Sequence, residues 1–117
     1  MRPGLPRQRI APRIGSPVPA PFCDAIRCGK MIFVSGQSPA DDHGSIIAPG
    51  DAVAQTHRAM QRIEALLDTF GAGFADVVKS NRWYVGAGTV EDFEPAAIAC
   101  ASYYEKPGPR RHTSGCS

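Results

Sequence analysis

The sequence predicts a small α+β domain, and three features of its apolar pattern indicate that class. Two short runs of large apolar residues flank a glycine and form a candidate hairpin. Two longer segments carry apolar residues at helical spacing, and a β-prone stretch lies between them. This order favours a largely antiparallel sheet with both helices on one face, rather than a doubly wound parallel sheet.

The first 21 residues are dominated by proline and arginine. Six of the eleven prolines lie in this segment. Proline fixes φ and removes a backbone donor, so we expect neither a regular helix nor a central strand here. The predicted organisation is an extended arm over 1–21, one domain over 22–105 and an irregular tail over 106–117.

The hairpin is predicted from strands at 23–27 and 31–35, joined by residues 28–30. The second strand runs from four large apolar residues directly into Ser35-Gly36-Gln37. A glycine lets a ligand or another backbone come close, and the neighbouring side chains can donate or accept hydrogen bonds. From the residues alone, this strand end is either a binding site or simply a strand that stops at a glycine.

Residues 39–44 follow as turn formers, and 45–47 form a candidate short strand. The Asp-His-Gly run at 42–44 contains groups that hold metals or act as a general base. Because it lies among turn formers, it indicates a solvated loop instead.

The clearest helix spans 51–70, with Asp51 as its N-cap and Gly71 beyond its end. Its apolar stripe consists of Val53, Thr56, Met60, Ile63, Leu67 and Phe70. The polar residues beside the stripe are expected to form a solvated face; they are His57, Arg58, Gln61, Arg62 and Glu64.

A second strand region is predicted over 76–85, where Trp83 is expected to pack a helix onto the sheet rather than to stack on a ligand. Thr89 is a candidate cap for the second helix, and Pro95 places the start of regular helix near itself. The predicted apolar face of that helix consists of Phe93, Ala97, Cys100, Ala101 and Tyr104.

Charge and composition exclude several classes of function. Residues 23–105 hold six basic and eleven acidic residues, a net charge of −5, which argues against a broad nucleic-acid surface. The four cysteines lack metal-ligand spacing, so no zinc or other metal site is expected. No apolar run approaches a bilayer span, and the start lacks a secretory h-region. We therefore expect a cytoplasmic protein that does not bind membranes.

The chain resembles the RidA/YjgF family over about residues 19–104. The Phe-Val-Ser-Gly-Gln run at 33–37, the Asp-Val-Val-Lys run at 76–79 and the Asp-Phe pair at 92–93 lie in the family's order. The resemblance implies a curved sheet backed by two helices and a homotrimer with clefts between subunits. It also implies a deaminase that needs no cofactor and hydrolyses reactive 2-enamino and 2-imino acids, such as 2-aminoacrylate, to 2-keto acids and ammonia.

Carried over by position, the resemblance places Ser35 and Gly36 along the substrate cleft and Phe22 at its mouth. Arg111 matches the family's Pro-x-Arg, and a guanidinium is suited to clamp a carboxylate through two parallel hydrogen bonds. The resemblance assigns no catalytic residue in this chain. Ala97 stands where some members have an asparagine.

The tail departs from the family pattern. Residues 112–115 do not form a strand pattern, and no acid follows Glu105, where typical members continue into strands, one of which bears a glutamate. The last strands of the sheet are therefore expected to be missing, as in a truncated or frame-altered chain. Two alternatives stay open: a non-catalytic member that binds small carboxylates or a protein, and, more weakly, an RNA-directed endoribonuclease or translation inhibitor.

Overall fold

The computed structural model of the 117-residue chain describes residues 7–10, 24–86 and 88–105. Three strands form one antiparallel sheet in the order β1-β2-β3, and two helices follow. The bounds are β1 Arg7–Ile10, β2 Ala25–Cys28, β3 Met31–Val34, α1 Ala52–Thr69 and α2 Val90–Tyr104, with a 3-10 turn at Phe74–Asp76. The predicted α+β class is confirmed.

The predicted hairpin is present with a tighter turn. Cys28 pairs with Met31, so Gly29 and Lys30 alone connect β2 to β3. Gly29 has a φ of 60°, the left-handed conformation that a two-residue hairpin turn requires at its first position.

The edge strand β1 was not predicted, because it lies in the proline-rich arm. It pairs antiparallel with β2, with Arg7 opposite Cys28 and Ile10 opposite Ala25. The arm therefore contributes a strand at the sheet edge, a position that a proline-rich segment can occupy.

The helix α1 agrees closely with its prediction. The Asp51 carboxylate accepts the Ala54 N–H at 3.0 Å, which satisfies one of the unpaired donors of the first turn. Met60 and Leu67 of the predicted stripe are buried against Phe74 and Tyr103. Phe70, at the end of the stripe, packs with Leu66 and Ala25 in a second buried cluster. These contacts hold α1 between the sheet and α2.

The helix α2 begins five residues earlier than predicted. Thr89 Oγ1 accepts the Asp92 N–H at 3.2 Å, so capped helix starts at Val90 and continues through Pro95. The buried face was also predicted wrongly. The buried residues are Ala96, Ala99 and Tyr103, since small side chains allow α2 to approach its neighbour closely.

The five residues predicted to form the buried face of α2 border a surface groove of about 430 Å³, although Cys100 among them also packs against the main core cluster. The lining residues of the groove are Ser80, Arg82, Phe93, Ala97, Cys100, Ala101 and Tyr104.

The predicted strand region after the 3-10 turn is wrong. Within the described ranges, residues 77–85 form no strand, and Val78, Trp83 and Val85 are 91%, 93% and 99% exposed. Trp83 therefore does not pack a helix onto the sheet. β-branched and aromatic side chains pack well on a sheet, but a segment forms a strand only if its backbone also finds a hydrogen-bonded neighbouring strand. The candidate strand at 45–47 is reduced to one bridge between Ala40 and Ile46.

Neither helix in the described part of the chain is long and apolar enough to cross a membrane.

Candidate functional site

The Ser-Gly-Gln turn lies directly beyond the end of β3 and is fastened to the start of β2. The Ser35 N–H donates to the Asp24 carbonyl at 2.9 Å. The Ser35 hydroxyl donates to the same carbonyl at 3.0 Å. The backbone bond extends the hairpin ladder by one residue, and the hydroxyl bond reinforces it at the point where the chain leaves the sheet.

The Gln37 side chain folds back onto this turn. Its Nε2 donates to the Ser35 carbonyl at 3.2 Å and to the Ser35 hydroxyl at 3.3 Å. The hydroxyl is therefore both a donor and an acceptor inside the protein. This engagement makes Ser35 a residue that shapes the turn rather than a nucleophile.

Gly36 is the open position of the turn. It is exposed, and a Cβ added to it would meet no atom within 4 Å. Its φ lies outside the left-handed region, so the backbone itself does not demand glycine. Among the hydrogen bonds of the described residues, none uses the Gly36 N–H. That N–H is a free donor of the kind that binds a carboxylate oxygen.

Two arginines on α1 contact this region, Arg62 at the turn and Arg58 in the loop after it, which corrects the expectation of a solvated face. Arg62 is only 7% exposed; its Nε donates to Gln37 Oε1 at 3.1 Å and its Nη1 to the Ala40 carbonyl at 3.4 Å. Arg58 Nε donates to the same carbonyl at 2.6 Å, and its Nη2 lies 3.4 Å from the Asp42 carboxylate.

His57 also contacts the protein interior: its Nδ1 lies 2.9 Å from the hydroxyl of buried Tyr103. The four-residue spacing of Arg58 and Arg62 places both on one side of the helix, but this spacing does not distinguish a buried face from a solvated one.

A small polar cavity of about 80 Å³ lies between α1 and the strand ends. Its lining residues are Asp24, Gln37, Arg62, Ala65, Leu66 and Thr69. Asp24 and Arg62 are each 7% exposed, so both ionisable side chains are largely removed from water beside the turn.

The Asp-His-Gly run is a solvated turn, as predicted. The Asp41 carboxylate accepts the N–H groups of His43 at 2.8 Å and Ser45 at 3.0 Å. The bonds from Ser45 and then His43 lower the pKa of Asp41. In the described part of the chain, no three His, Cys, Asp or Glu side chains are grouped to hold a metal ion.

Tyr84, which lies away from the Ser-Gly-Gln turn, also has a shifted pKa. Tyr84 donates to the Asp92 carboxylate at 2.9 Å, and this bond raises the pKa of Tyr84.

Of the four predicted cleft residues, Ser35 and Gly36 lie side by side at the strand end. Phe22 and Arg111 lie outside the described residues, so their roles stay predictions. Ala97, which replaces an asparagine of some members, lines the groove beside α2. Asp24 was not predicted as a site residue and Arg62 was predicted to be solvated, but both are buried beside the turn.

Comparison with known proteins gives consistent matches. The family described as Endoribonuclease L-PSP matches residues 14–117. A RutC family protein of Pyrococcus abyssi is 35% identical over 91 residues, which cover 78% of this chain and 69% of that protein. The 3-aminoacrylate deaminase RutC of Acinetobacter baylyi is 34% identical over 74 residues, covering 62% of this chain and 58% of the deaminase. The match thus spans less than two thirds of that deaminase.

A solved structure has the same fold. A Thermotoga maritima protein designated a candidate endoribonuclease superposes with a TM-score of 0.63 at 24% identity, covering 86% of this chain and 80% of that one.

Proposed function

Because this chain belongs to the RidA/YjgF family, we propose that it hydrolyses reactive 2-enamino and 2-imino acids, such as 2-aminoacrylate, to 2-keto acids and ammonia. The observation that carries the proposal is the free Gly36 N–H at an open strand end. The partial match to a relative named 3-aminoacrylate deaminase supports the substrate class.

The chemistry asks little of the protein. Protonation of the enamine carbon gives an iminium, water adds to its carbon, and the resulting carbinolamine expels ammonia to leave the keto acid. The protein must hold the carboxylate, orient one water and supply a proton donor. Under this proposal the Gly36 N–H binds one carboxylate oxygen, and Arg111 also binds the carboxylate.

The test is ammonia release from 2-aminoacrylate generated in the assay by a pyridoxal-phosphate lyase. We expect the protein to release ammonia faster than buffer does. Arg111→Ala should lose most of this rate, and Arg110→Ala is the matched control because it removes the neighbouring arginine. A folded sample no faster than buffer contradicts deamination, and equal losses in both variants contradict the clamp.

A second candidate is a member that binds small carboxylates or a protein without turning a substrate over. It is favoured by the internal engagement of the Ser35 hydroxyl, which donates to Asp24 and accepts from Gln37. Binding alone needs the Gly36 donor but no proton donor. Calorimetric titration with pyruvate, run beside the ammonia assay, separates the two: binding without turnover supports this candidate.

RNA cleavage is the weaker alternative. The matched family is described as an endoribonuclease, but residues 23–105 carry a net charge of −5, which repels a phosphate backbone. Incubation with single-stranded RNA, with and without residues 1–21, tests it. Cleavage that survives deletion of the basic arm would support this alternative.

We further propose that the chain assembles as a homotrimer through the outer face of its sheet. Cross-strand partners point to the same side of a sheet, so the pairs Ile26–Phe33 and Cys28–Met31 share one face. Ile32 and Val34 occupy the opposite face and pack against the helices. This assignment leaves an apolar outer face.

Met31 and Phe33 are 58% and 56% exposed on that face in the single chain. Contiguous exposed apolar surface of this kind marks an interaction site.

Size-exclusion chromatography with light scattering tests the assembly. We expect a trimer for the unmodified chain and smaller species for Phe33→Glu. Val78→Glu is the matched control, because it changes another highly exposed apolar residue outside the sheet. A monomeric unmodified chain, or dissociation by both variants, contradicts assembly through the sheet face.

A further inference from the structure

A continuous series of hydrogen bonds connects a buried arginine of α1 to the exposed strand end. Arg62 Nε donates to Gln37 Oε1 at 3.1 Å, and Gln37 Nε2 donates to the Ser35 carbonyl at 3.2 Å and hydroxyl at 3.3 Å. The Ser35 hydroxyl then donates to the Asp24 carbonyl at 3.0 Å. The Ser35 carbonyl and the Gly36 N–H belong to the same planar peptide group. The bond from Gln37 to that carbonyl therefore also restrains the direction of the Gly36 N–H.

The chemistry of the arginine decides the orientation of the amide. A guanidinium has donors and no acceptor, so only the oxygen of Gln37 can face Arg62. The amide nitrogen is then obliged to face Ser35. Without the guanidinium the amide oxygen would lose its partner inside the protein, and the Gln37 side chain could leave the turn to bind water instead.

The burial of Arg62 makes this orientation firm. Its side chain is 7% exposed, and a second nitrogen, Nη1, reaches the Ala40 carbonyl at 3.4 Å. The Gln37 side chain and the Ala40 carbonyl therefore both hold the planar guanidinium, whose donors have fixed directions. A solvated arginine would not select one amide orientation in this way.

We infer that Arg62 is a positioning residue: acting through Gln37, it holds the Ser35-Gly36 peptide in the orientation that presents the Gly36 N–H to a substrate carboxylate. The inference rests on the proposed function for the identity of the ligand. The coupling between Arg62 and the Gly36 N–H can be measured without turnover.

The matched pair of variants is Arg62→Met and Arg58→Met. Both arginines lie on α1, four residues apart, and both donate to the Ala40 carbonyl, but only Arg62 contacts Gln37. Methionine is unbranched and adaptable, so it can fill much of the space that the buried arginine side chain occupies. Gln37→Glu is the second probe, because it keeps an acceptor for Arg62 and removes the donor to Ser35.

Two readouts separate positioning from stability. We expect the KM for 2-aminoacrylate to rise about tenfold in Arg62→Met, the effect of one weakened hydrogen bond, with kcat within about twofold. Gln37→Glu should raise KM similarly, because a carboxylate oxygen replaces the donor to Ser35, and Arg58→Met should leave KM within about twofold. Thermal unfolding of the same samples identifies any change in KM that comes from instability. The affinity for pyruvate and the NMR resonance of the Gly36 amide should change in the first two variants and not in the third.

The outcomes are distinct. Equal effects of Arg62→Met and Arg58→Met on KM and on the Gly36 resonance overturn the inference. If Arg62→Met fails to fold, a Gln37→Glu protein with unchanged KM, pyruvate affinity and Gly36 resonance overturns it as well. If the unmodified protein shows no deamination, the proposed function fails, and the Gly36 resonance and pyruvate titration alone decide whether Arg62 positions the turn.

Discussion

A methyl group added at Gly36 should separate the stability of the fold from binding at the strand end. The added Cβ meets no atom within 4 Å, and the backbone there is not left-handed. Gly36→Ala should therefore fit the folded chain without strain. Because alanine restricts the unfolded chain more than glycine does, we expect stability to be unchanged or raised by up to about 1 kcal/mol.

The same methyl group would stand beside the N–H that we propose binds the substrate carboxylate. A hydrogen bond to a charged group contributes about 1.5–3 kcal/mol. Its loss would lower kcat/KM roughly ten- to a hundredfold, at about 1.4 kcal/mol for each factor of ten. The assay is ammonia release from 2-aminoacrylate over a range of concentrations, with thermal unfolding measured on the same samples.

Gly73→Ala is the matched control. Gly73 has an extended φ of −141°, and its added Cβ also meets no atom within 4 Å, but it lies before the 3-10 turn rather than at the strand end. It should change stability as Gly36→Ala does and leave kcat/KM unchanged. Full activity in Gly36→Ala would refute the reasoning, because it would show that no ligand approaches the open face of this glycine.

Two further predictions concern the fold. Leu67→Ala should lower the free energy of unfolding, measured by urea denaturation, by about 2–5 kcal/mol, because Leu67 is only 5% exposed in the main core cluster. Val78→Ala is the control: Val78 is 91% exposed, so this substitution should change the free energy of unfolding by no more than about 0.5 kcal/mol. Asp41→Ala should lower the thermal midpoint at neutral pH. Since the bonds from Ser45 and His43 lower the pKa of Asp41, their contribution is present above its ordinary value of 3.8 and is lost as the pH falls through the folded value. The difference between Asp41→Ala and the unmodified protein should therefore narrow in acid, and a constant difference would contradict this assignment.

The helices could be predicted from the sequence because their signals are local. Asp51 and Thr89 each accept a backbone N–H three residues on, so the caps can be identified from a few neighbouring residues. The predicted apolar stripe of α1 also included Met60 and Leu67, which are buried in the structure. The face of α2 was mistaken because alanines occur on both sides of this helix and do not mark the buried one. The predicted face followed Phe93 and Tyr104, whereas Ala96, Ala99 and Tyr103 are the buried residues.

The stretch 77–85 could not be assigned from the sequence, because strand formation depends on a partner elsewhere in the chain. Trp83 and Val85 are residues that sheets favour, and both are more than nine tenths exposed. The hairpin could be predicted because β2 and β3 are adjacent in sequence. The two-residue turn at Gly29 brings the two strands together as hydrogen-bonded partners. Pairing over a short chain distance is visible in the sequence, and pairing over a long distance is not.

The candidate site shows the same division. Ser35 and Gly36 were found because an apolar strand runs directly into them, whereas Arg62 was read as solvated because a charge beside an apolar stripe usually is. Burial of that arginine depends on acceptors from a distant loop, namely Gln37 and Ala40. No local pattern on α1 indicates that those acceptors lie within reach.

The helix α1 therefore has two adjoining faces, one that packs in the core and one that carries the arginine bound to the turn. Met60 and Leu67 bury the apolar face in the main core cluster, which fixes where the helix lies relative to the sheet. Arg62 extends from the neighbouring face to the turn beyond β3. Since a hydrogen bond weakens steeply once its donor and acceptor move apart, a small shift of α1 in its packing would release Gln37 before the core loses much contact. The geometry at Gly36 should thus be more sensitive to core substitutions than stability is.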